Sequence, residues 1–270
     1  MGGAELDVLP RWVTLLRAPN PGPMTLEGTN TWILRAPGEE HGVVIDPGPL
    51  DEEHLTRIAA HGPFLFILVT HGHHDHVDGA ARLAELLGGT PVLAADPVHC
   101  VGAGPLEESE KLGGAGLEIQ VLDTPGHTGD SVCFLVAVGD DRAMFTGDTI
   151  LGRGTTVVAA PDGDLGAYLE SLDLLAGFAD VPMLPGHGPA QPDVAAVARV
   201  YRDHRRERLA QVAAAMAAGA DTPAKVVDLV YPDIEPAVRF AAEWSAAAQL
   251  NYLRHTDRES GTTVDGLDRL

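Results

Sequence analysis

The chain has 270 residues, of which 45% are hydrophobic and 21% are charged, and its formal net charge is −21 at pH 7. That length is enough for one large domain, or for a domain with a small second one. So negative a chain repels polyanions at long range, which argues against nonspecific nucleic-acid binding over a wide surface but not against a local basic groove.

Cysteine usage and the lack of long apolar runs predict a cytoplasmic protein. Cys100 and Cys133 stand alone, without CxxC spacing, and each is expected to be a small buried hydrophobic residue. No stretch approaches the roughly 20 apolar residues of a membrane span, and the first 20 residues lack the apolar run of a signal peptide. We therefore expect no membrane partner.

In chain order, a Pro/Gly-rich loop from Asn20 precedes the first predicted strand, and short strands then alternate with helices and Gly-rich loops. This alternation predicts an α/β fold whose strand ends converge on one edge. The first predicted strand follows this loop and reaches Leu34, and the later ones cover 43–45, 64–69, 91–95, 117–122, 132–138, 143–146 and 181–184. The predicted helices cover 51–61, 80–87 and 168–175, and the predicted loops cover 99–116 and 151–166.

After residue 195 the pattern predicts three helices. The first covers 199–219 and begins with several arginines, and the second begins at Asp221-Thr222-Pro223. The third covers 236–253, with Phe240, Trp244, Ala247 and Ala248 spaced as one apolar face. We place a catalytic domain at 1–197 and a small helical domain at 198–270, whose last dozen residues are expected to be frayed or to form a hairpin.

The segment Thr70-His71-Gly72-His73-His74-Asp75-His76 follows the strand 64–69 and precedes the helix 80–87. Four imidazoles and a carboxylate therefore share one turn between a strand and a helix. A solvated His-rich turn is the alternative, but this composition favours metal binding.

Three later junctions each present one more candidate ligand: His127 in Pro-Gly-His-Thr, Asp148 in Thr-Gly-Asp-Thr and His187 in Pro-Gly-His-Gly. A lone His or Asp in a Gly turn is usually only a polar turn residue. Three such junctions, each flanked by glycine that permits close approach of the backbone, favour a shared site.

Taken together, His71-x-His73-x-Asp75-His76, His127, Asp148 and His187 resemble the metallo-β-lactamase superfamily in order and spacing. The resemblance implies an αββα sandwich and two divalent metal ions, with Zn²⁺ expected and Mn²⁺ or Fe also compatible. It assigns His71, His73 and His127 to one ion and Asp75, His76 and His187 to the other, with Asp148 bridging. A hydroxide between the ions would be the nucleophile, oriented by Asp75. His74 is expected to be exposed or to support a ligand.

Departures from the family pattern narrow the substrate. Zinc β-lactamases commonly have a cysteine where this chain has Asp148, which argues against antibiotic hydrolysis. His187 lies 39 positions after Asp148, too few for the inserted cap domain of the family's nucleases. The C-terminal region has no evident match to the glutathione-binding module of glyoxalase II, although the metal motif does not exclude that enzyme.

The chain is also similar to the β-lactamase-like-protein-2 subfamily in three segments, which are 20–31, 151–155 and the C-terminal region from His204 to Leu253. That similarity implies a winged-helix-like C-terminal domain. It also implies either a single-strand-specific endoribonuclease or a thioesterase that acts on carrier-bound acyl chains.

Several functions therefore stay open. Single-stranded RNA would contact the basic helix that begins at Arg199, unless its arginines only pair with neighbouring acids. A small ester or thioester would instead occupy a pocket shaped by loops 20–30 and 151–160. A non-enzymatic role or a homodimer through the helical region is a further alternative, and segment 220–255 is not basic enough for double-stranded DNA. Candidate substrate contacts are Asn30, Thr155, Arg205 and Arg206.

Overall fold

The computed structural model describes residues 8–262, with side chains as far as residue 256. Two five-stranded sheets form its centre, each with parallel and antiparallel pairs. In order across the first sheet lie β1 (Val13–Arg17), β2 (Asn30–Leu34), β3 (Gly42–Ile45), β4 (Phe64–Leu68) and β5 (Val92–Leu93). The second sheet runs from β10 (Met183–Pro185) through β9 (Asp141–Gly147), β8 (Val132–Val138) and β7 (Leu117–Asp123) to β6 (Lys111–Gly114).

The helices begin where the sequence supplies capping side chains. Asp51, Asp164, Asp193 and Thr222 each accept a hydrogen bond from a backbone N–H of the following first turn, as helix N-caps do. The helices are α1 (Glu52–Ala59), α2 (His74–Val77), α3 (Ala80–Leu86), α4 (Leu165–Leu175), α5 (Val194–Ala217), α6 (Pro223–Val230) and α7 (Arg239–Thr262). None of the helices in the described part of the chain is long and apolar enough to cross a membrane.

Three apolar clusters separate four layers. One lies between the sheets and contains Trp32, Val43 and Phe145. Ile33 and Val44, which point to the opposite face because strand side chains alternate, pack with α1 and α3. The outer face of the second sheet packs on α4 and the first half of α5. The predicted α/β architecture is therefore confirmed.

The strands direct the site residues to one edge. β3 pairs with β4 in parallel, and β9 pairs with β10 in parallel. The carboxyl ends of each pair therefore meet at the same place, and Asp46, His71, Asp148 and His187 follow these four strands within three residues. A backbone bridge between Thr29 and His187 joins the edges of the two sheets.

The C-terminal region is helical, as expected, and a fourth apolar cluster holds α6, α7 and the second half of α5 together. Within residues 8–262 no strand follows Pro185, so the wing of a winged helix is not seen there. Residues 263–270, where part of the predicted frayed or hairpin end falls, lie outside the described residues. The proposed boundary at 197/198 falls inside α5, which contributes to both the second and the fourth cluster.

The structure differs from the sequence-based predictions of individual elements at three places. β1 was not predicted as a strand, and the predicted loop 99–116 contains β6. The expected apolar face of α7 is wrong at Phe240 and Trp244, which are 41% and 52% exposed. The buried face instead includes Ala246 and Leu250, because small residues allow close helix packing and the large aromatics remain outside.

Candidate metal centre

The structure brings all seven predicted ligands together. The potential ligand atoms of His71, His73 and His127 lie within 4.8 Å of one another, and so do those of Asp75, His76 and His187. Within the first group, His73 Nδ1 is 2.9 Å from His71 Nε2 and 3.0 Å from His127 Nε2. In the second, His187 Nε2 is 3.2 Å from His76 Nε2 and 3.1 Å from Asp75 Oδ2. These are the two groups that the family resemblance assigns to separate ions.

Asp148 lies between the two groups. Its Oδ2 is 3.3 Å from His187 Nε2 and 3.9 Å from His127 Nε2, and its Oδ1 is 3.5 Å from His76 Nε2. Among the described residues, the buried Oδ1 has no hydrogen-bond partner. A buried carboxylate oxygen without a donor is costly, and a cation would satisfy it. The imidazole and carboxylate set therefore fits a pair of divalent ions.

Asp46 orients His76, although sequence reasoning did not single it out, because one acid after the short strand 43–45 belongs to no spacing pattern. Its Oδ2 accepts a hydrogen bond from His76 Nδ1 at 2.8 Å, while Thr70 donates its backbone N–H and its hydroxyl to the same carboxylate, each at 2.8 Å. Because Nδ1 carries the proton of this hydrogen bond, Nε2 is the nitrogen of His76 that faces the centre and can bind a metal. The signal available in the sequence was an acid directly after a strand that lies parallel to β4.

The other ligands have similar supports. His127 Nδ1 donates to the carbonyl of Val157 at 2.7 Å. Asp75 Oδ2 accepts from the Thr29 hydroxyl at 2.9 Å, and that hydroxyl in turn accepts from the Asn20 amide at 3.0 Å. The loop that begins at Asn20 therefore reaches the centre through Thr29, a residue that sequence reasoning did not single out.

Electrostatics divide the histidines. Burial lowers the pKa of His71 well below its usual value and also lowers the pKa of His127. Burial opposes ionisation at His187 too, but Asp148 outweighs it and raises the pKa of His187 to about 9. Although burial works against it, His187 and His76 hold the pKa of Asp148 well below its usual range. At His76 burial is likewise outweighed, by Asp148 and Asp46, and the pKa of His76 is raised well above its usual value. The carboxylates thus favour positive charge at His76 and His187, where a cation would also be favoured.

Comparison with known proteins agrees with this geometry. Residues 24–187 match the family model of the metallo-beta-lactamase superfamily. The chain belongs to the metallo-β-lactamase superfamily. It is 31% identical over 248 residues to the atrochrysone carboxyl ACP thioesterase of Aspergillus fumigatus. This alignment covers 84% of this chain and 76% of that protein. It is 30% identical over 247 residues to the beta-lactamase-like protein 2 homolog of Caenorhabditis elegans, with 85% of this chain and 80% of that protein covered.

A solved structure supports the fold of this metallo-β-lactamase superfamily chain. The beta-lactamase domain protein of Burkholderia ambifaria superposes with a TM-score of 0.76 at 24% identity, covering 93% of this chain and 91% of that one. The chain spans between 57% and 80% of the length of the curated relatives compared with it. The family and its relatives identify the chain as a metal-dependent hydrolase.

The remaining sequence candidates have different surroundings. His74 is exposed, with 94% of its side chain accessible, and lies 3.1 Å from Asp78. The expected substrate contact Asn30 is fully buried, and its amide donates to the carbonyls of Pro185 and Gly188. Arg205 is only 4% exposed and donates to the carbonyl of Thr156. Asn30 and Arg205 are thus engaged by groups of the chain itself, whereas Thr155 and Arg206 are exposed.

An open cleft of about 610 Å³ borders the metallo-β-lactamase centre at His73. Asp96, Asp130 and Asp162 line it together with His99. In the part of the chain that the structure describes, no lysine or arginine lines this cleft. Its volume suits a small organic molecule.

Proposed function

We propose that the chain is a divalent-metal-dependent hydrolase that cleaves a small ester or thioester. The observation that carries this proposal is the charge of the cleft at His73, which is bordered by three carboxylates. Carboxylates repel the phosphates of RNA, while they leave a neutral ester or thioester unaffected. RNA cleavage is the competing function, and the two differ in what must enter this cleft.

The arginines of α5 give RNA little support. Arg199 donates to the carbonyl of Ala176 at 3.1 Å, and Arg202 pairs with Asp173 at 2.9 Å. Arg208 stacks over the ring of Tyr231, with 4.3 Å from its guanidinium carbon to the ring centroid. Arg205 is buried, and Arg206 is exposed. Among the described residues, Arg206 is the one arginine of these five that makes no such contact. Most arginines of α5 therefore make contacts within the chain.

The similarity to a thioesterase supports the same choice. The relative from Aspergillus fumigatus carries that activity in its name and aligns with 84% of this chain. The relative from Caenorhabditis elegans is named only for the lactamase family. Of these two relatives, only the one from Aspergillus fumigatus indicates a substrate class by its name, and that class is a thioester.

We assign one ion to His71, His73 and His127, a second to Asp75, His76 and His187, and contact with both to Asp148. Zn²⁺ is the proposed metal, because five imidazoles and two carboxylates suit it, and Mn²⁺ or Fe would also accept this set. When bound, the ions supply Lewis acidity and a water nucleophile at neutral pH.

Asp75 is the proposed catalytic residue. Although burial opposes it, His76 and His187 lower the pKa of Asp75, so the carboxylate stays ionised at neutral pH. An ionised carboxylate accepts hydrogen bonds only, and Oδ2 already accepts one from Thr29. Its role is to accept a hydrogen bond from the attacking water and so orient it toward the acyl carbon. We assign contact with the leaving group to His99, which lines the same cleft.

The deciding experiment compares an uncharged acyl thioester with a labelled single-stranded RNA, using metal-loaded protein and the Asp148→Asn variant. We expect thiol release that is lost in the variant, and no RNA cleavage. RNA cleavage that depends on Asp148, without thioester turnover, would overturn the proposal.

A substrate-charge series tests the cleft itself. We expect kcat/KM to fall as negative charge is added to the leaving group, and Asp162→Asn to reduce that difference severalfold. Asp141→Asn, which removes the same charge from the exposed start of β9, is the matched control. No dependence on substrate charge in the wild-type protein would contradict the electrostatic reasoning.

A further inference from the structure

Arg205 is a buried cation in the first half of α5, and its surroundings connect that helix with the metal centre. Its Nη2 donates to the carbonyl of Thr156, and its guanidinium carbon lies 5.1 Å from the ring centroid of the fully buried Tyr168. Holding a guanidinium inside a protein costs desolvation energy, which the hydrogen bond to Thr156 and the contact with the Tyr168 ring partly offset.

The segment that Arg205 holds supports two residues of the centre. The Thr156 hydroxyl donates to the backbone carbonyl of Asp148 at 2.8 Å. The next carbonyl, that of Val157, accepts the hydrogen bond from His127 Nδ1 at 2.7 Å. One dipeptide therefore contacts the guanidinium on one side and the metal centre on the other.

The segment has little regular structure to hold it otherwise. Residues 151–164 belong to no helix or strand. Asp148, by contrast, follows β9 directly, and Thr149 beside it donates its N–H to Thr146 at 3.0 Å and accepts from the Tyr168 hydroxyl at 2.7 Å. If the contact of Arg205 is removed, we therefore expect Val157 to move rather than Asp148.

We propose that Arg205 is a positioning residue for the metal centre, which acts through Thr156 and Val157 to hold His127. A fixed Val157 carbonyl keeps the proton of His127 on Nδ1 and directs Nε2 toward His73. The proposal rests on the assignment of the metal centre and is independent of whether the substrate is a thioester or RNA.

The test measures Zn²⁺ and Co²⁺ binding to metal-free protein by competition with a chromophoric chelator. In Arg205→Met, which keeps an unbranched chain of similar length without its donors, we expect one of the two equivalents to bind roughly 10- to 100-fold more weakly. The other equivalent should change less than about threefold, since its ligands have other supports. The visible spectrum of the cobalt-loaded variant should lose the bands of the weakened equivalent.

Arg206→Met is the matched control, since Arg206 is the neighbouring exposed residue of the same helix. A purely structural role for Arg205 would lower the thermal midpoint of the metal-free protein and leave both affinities unchanged, or weaken both equally. Either result would overturn the proposal. If wild-type protein binds fewer than two equivalents, the assignment of the centre fails and the proposal fails with it.

A second pair of variants covers the case in which Arg205→Met does not fold. Thr156→Val removes the hydroxyl that donates to Asp148, whereas Thr156→Ser keeps it. We expect the valine variant to weaken the same equivalent and the serine variant to bind both as the wild type does. Equal affinities in the two variants would contradict the role of this segment.

Discussion

Replacing Asp46 by asparagine should weaken metal binding without unfolding the chain. Asp46 has a φ of 52°, a left-handed conformation that asparagine tolerates better than most residues. The size of the side chain is also unchanged. The hydrogen bonds do change, because a carboxylate accepts with both oxygens whereas an amide accepts with one and donates with its nitrogen.

The geometry determines which way the new amide turns. The backbone N–H of Thr70 donates to Oδ1 and cannot rotate, so the amide oxygen must stay there. The amide nitrogen then faces His76 Nδ1, donates to it and moves the imidazole proton to Nε2. Nε2 is the atom that faces His187 and Asp148, so the proton occupies the position where a metal would bind.

Supporting contacts of this type are worth roughly 10- to 100-fold in metal affinity. At 1.36 kcal/mol per decade, this corresponds to about 1.4 to 2.7 kcal/mol for the ion assigned to Asp75, His76 and His187. Titration of metal-free protein with Zn²⁺, with metal content measured after dialysis against buffered zinc, gives both the affinity and the stoichiometry.

Asp51→Asn is the matched control. It removes the same unit charge five residues later, and asparagine caps a helix as well as aspartate does. Wild-type affinity at both sites in Asp46→Asn would refute the tautomer reasoning. A loss of equal size in Asp51→Asn would show that net charge, rather than the hydrogen bond, is responsible.

Four other outcomes are expected. Asp148→Asn and His127→Ala should each abolish turnover while far-UV circular dichroism stays unchanged, and normal activity in a metal-verified preparation would contradict the site. Chelation should remove activity and lower the thermal midpoint, since an ion at 1,000 times its Kd stabilises by about 4 kcal/mol, and Zn²⁺ or Mn²⁺ should restore both. In metal-free protein the pKa of His187 is raised to about 9. The contribution of protonated His187 to stability is therefore complete below the pKa of the unfolded state, near 6.5, and is lost as the pH rises to 9. Calorimetry should show that the thermal midpoint falls over that pH range. Ala246→Leu should destabilise by about 1–3 kcal/mol through overpacking, whereas Trp244→Ala should cost far less, as chemical denaturation can measure.

Much of the centre could be predicted because its ligands follow strands. The seven candidate ligands lie in the segments that follow four apolar strands, and the order of the motif restricts how the chain can bring them together. Asp46 and Thr29 escaped prediction, because their partners lie 30 and 46 residues away and a single polar residue in a turn carries no spacing pattern.

Arg205 and Trp244 show where sequence periodicity fails. A run of arginines suggests an exposed basic helix, but which of them points inward depends on how α5 meets α4 and the loop 151–164. Tryptophan is larger and more apolar than alanine, yet it is Ala246 and not Trp244 that packs between α5, α6 and α7, because these helices lie close together. Both outcomes depend on tertiary packing, which local patterns do not encode.

Helix α5 also determines how the chain can be divided. Its 24 residues extend over about 36 Å, with one end in the packing of the second sheet and the other in the C-terminal cluster. A truncation at the predicted boundary would leave a four-residue stub, Val194 to Val197, and would remove both Tyr201 and Arg205 from the larger fragment. Fragments intended for expression should therefore keep α5 whole, and grafting a C-terminal region from a relative should begin in the turn before α6.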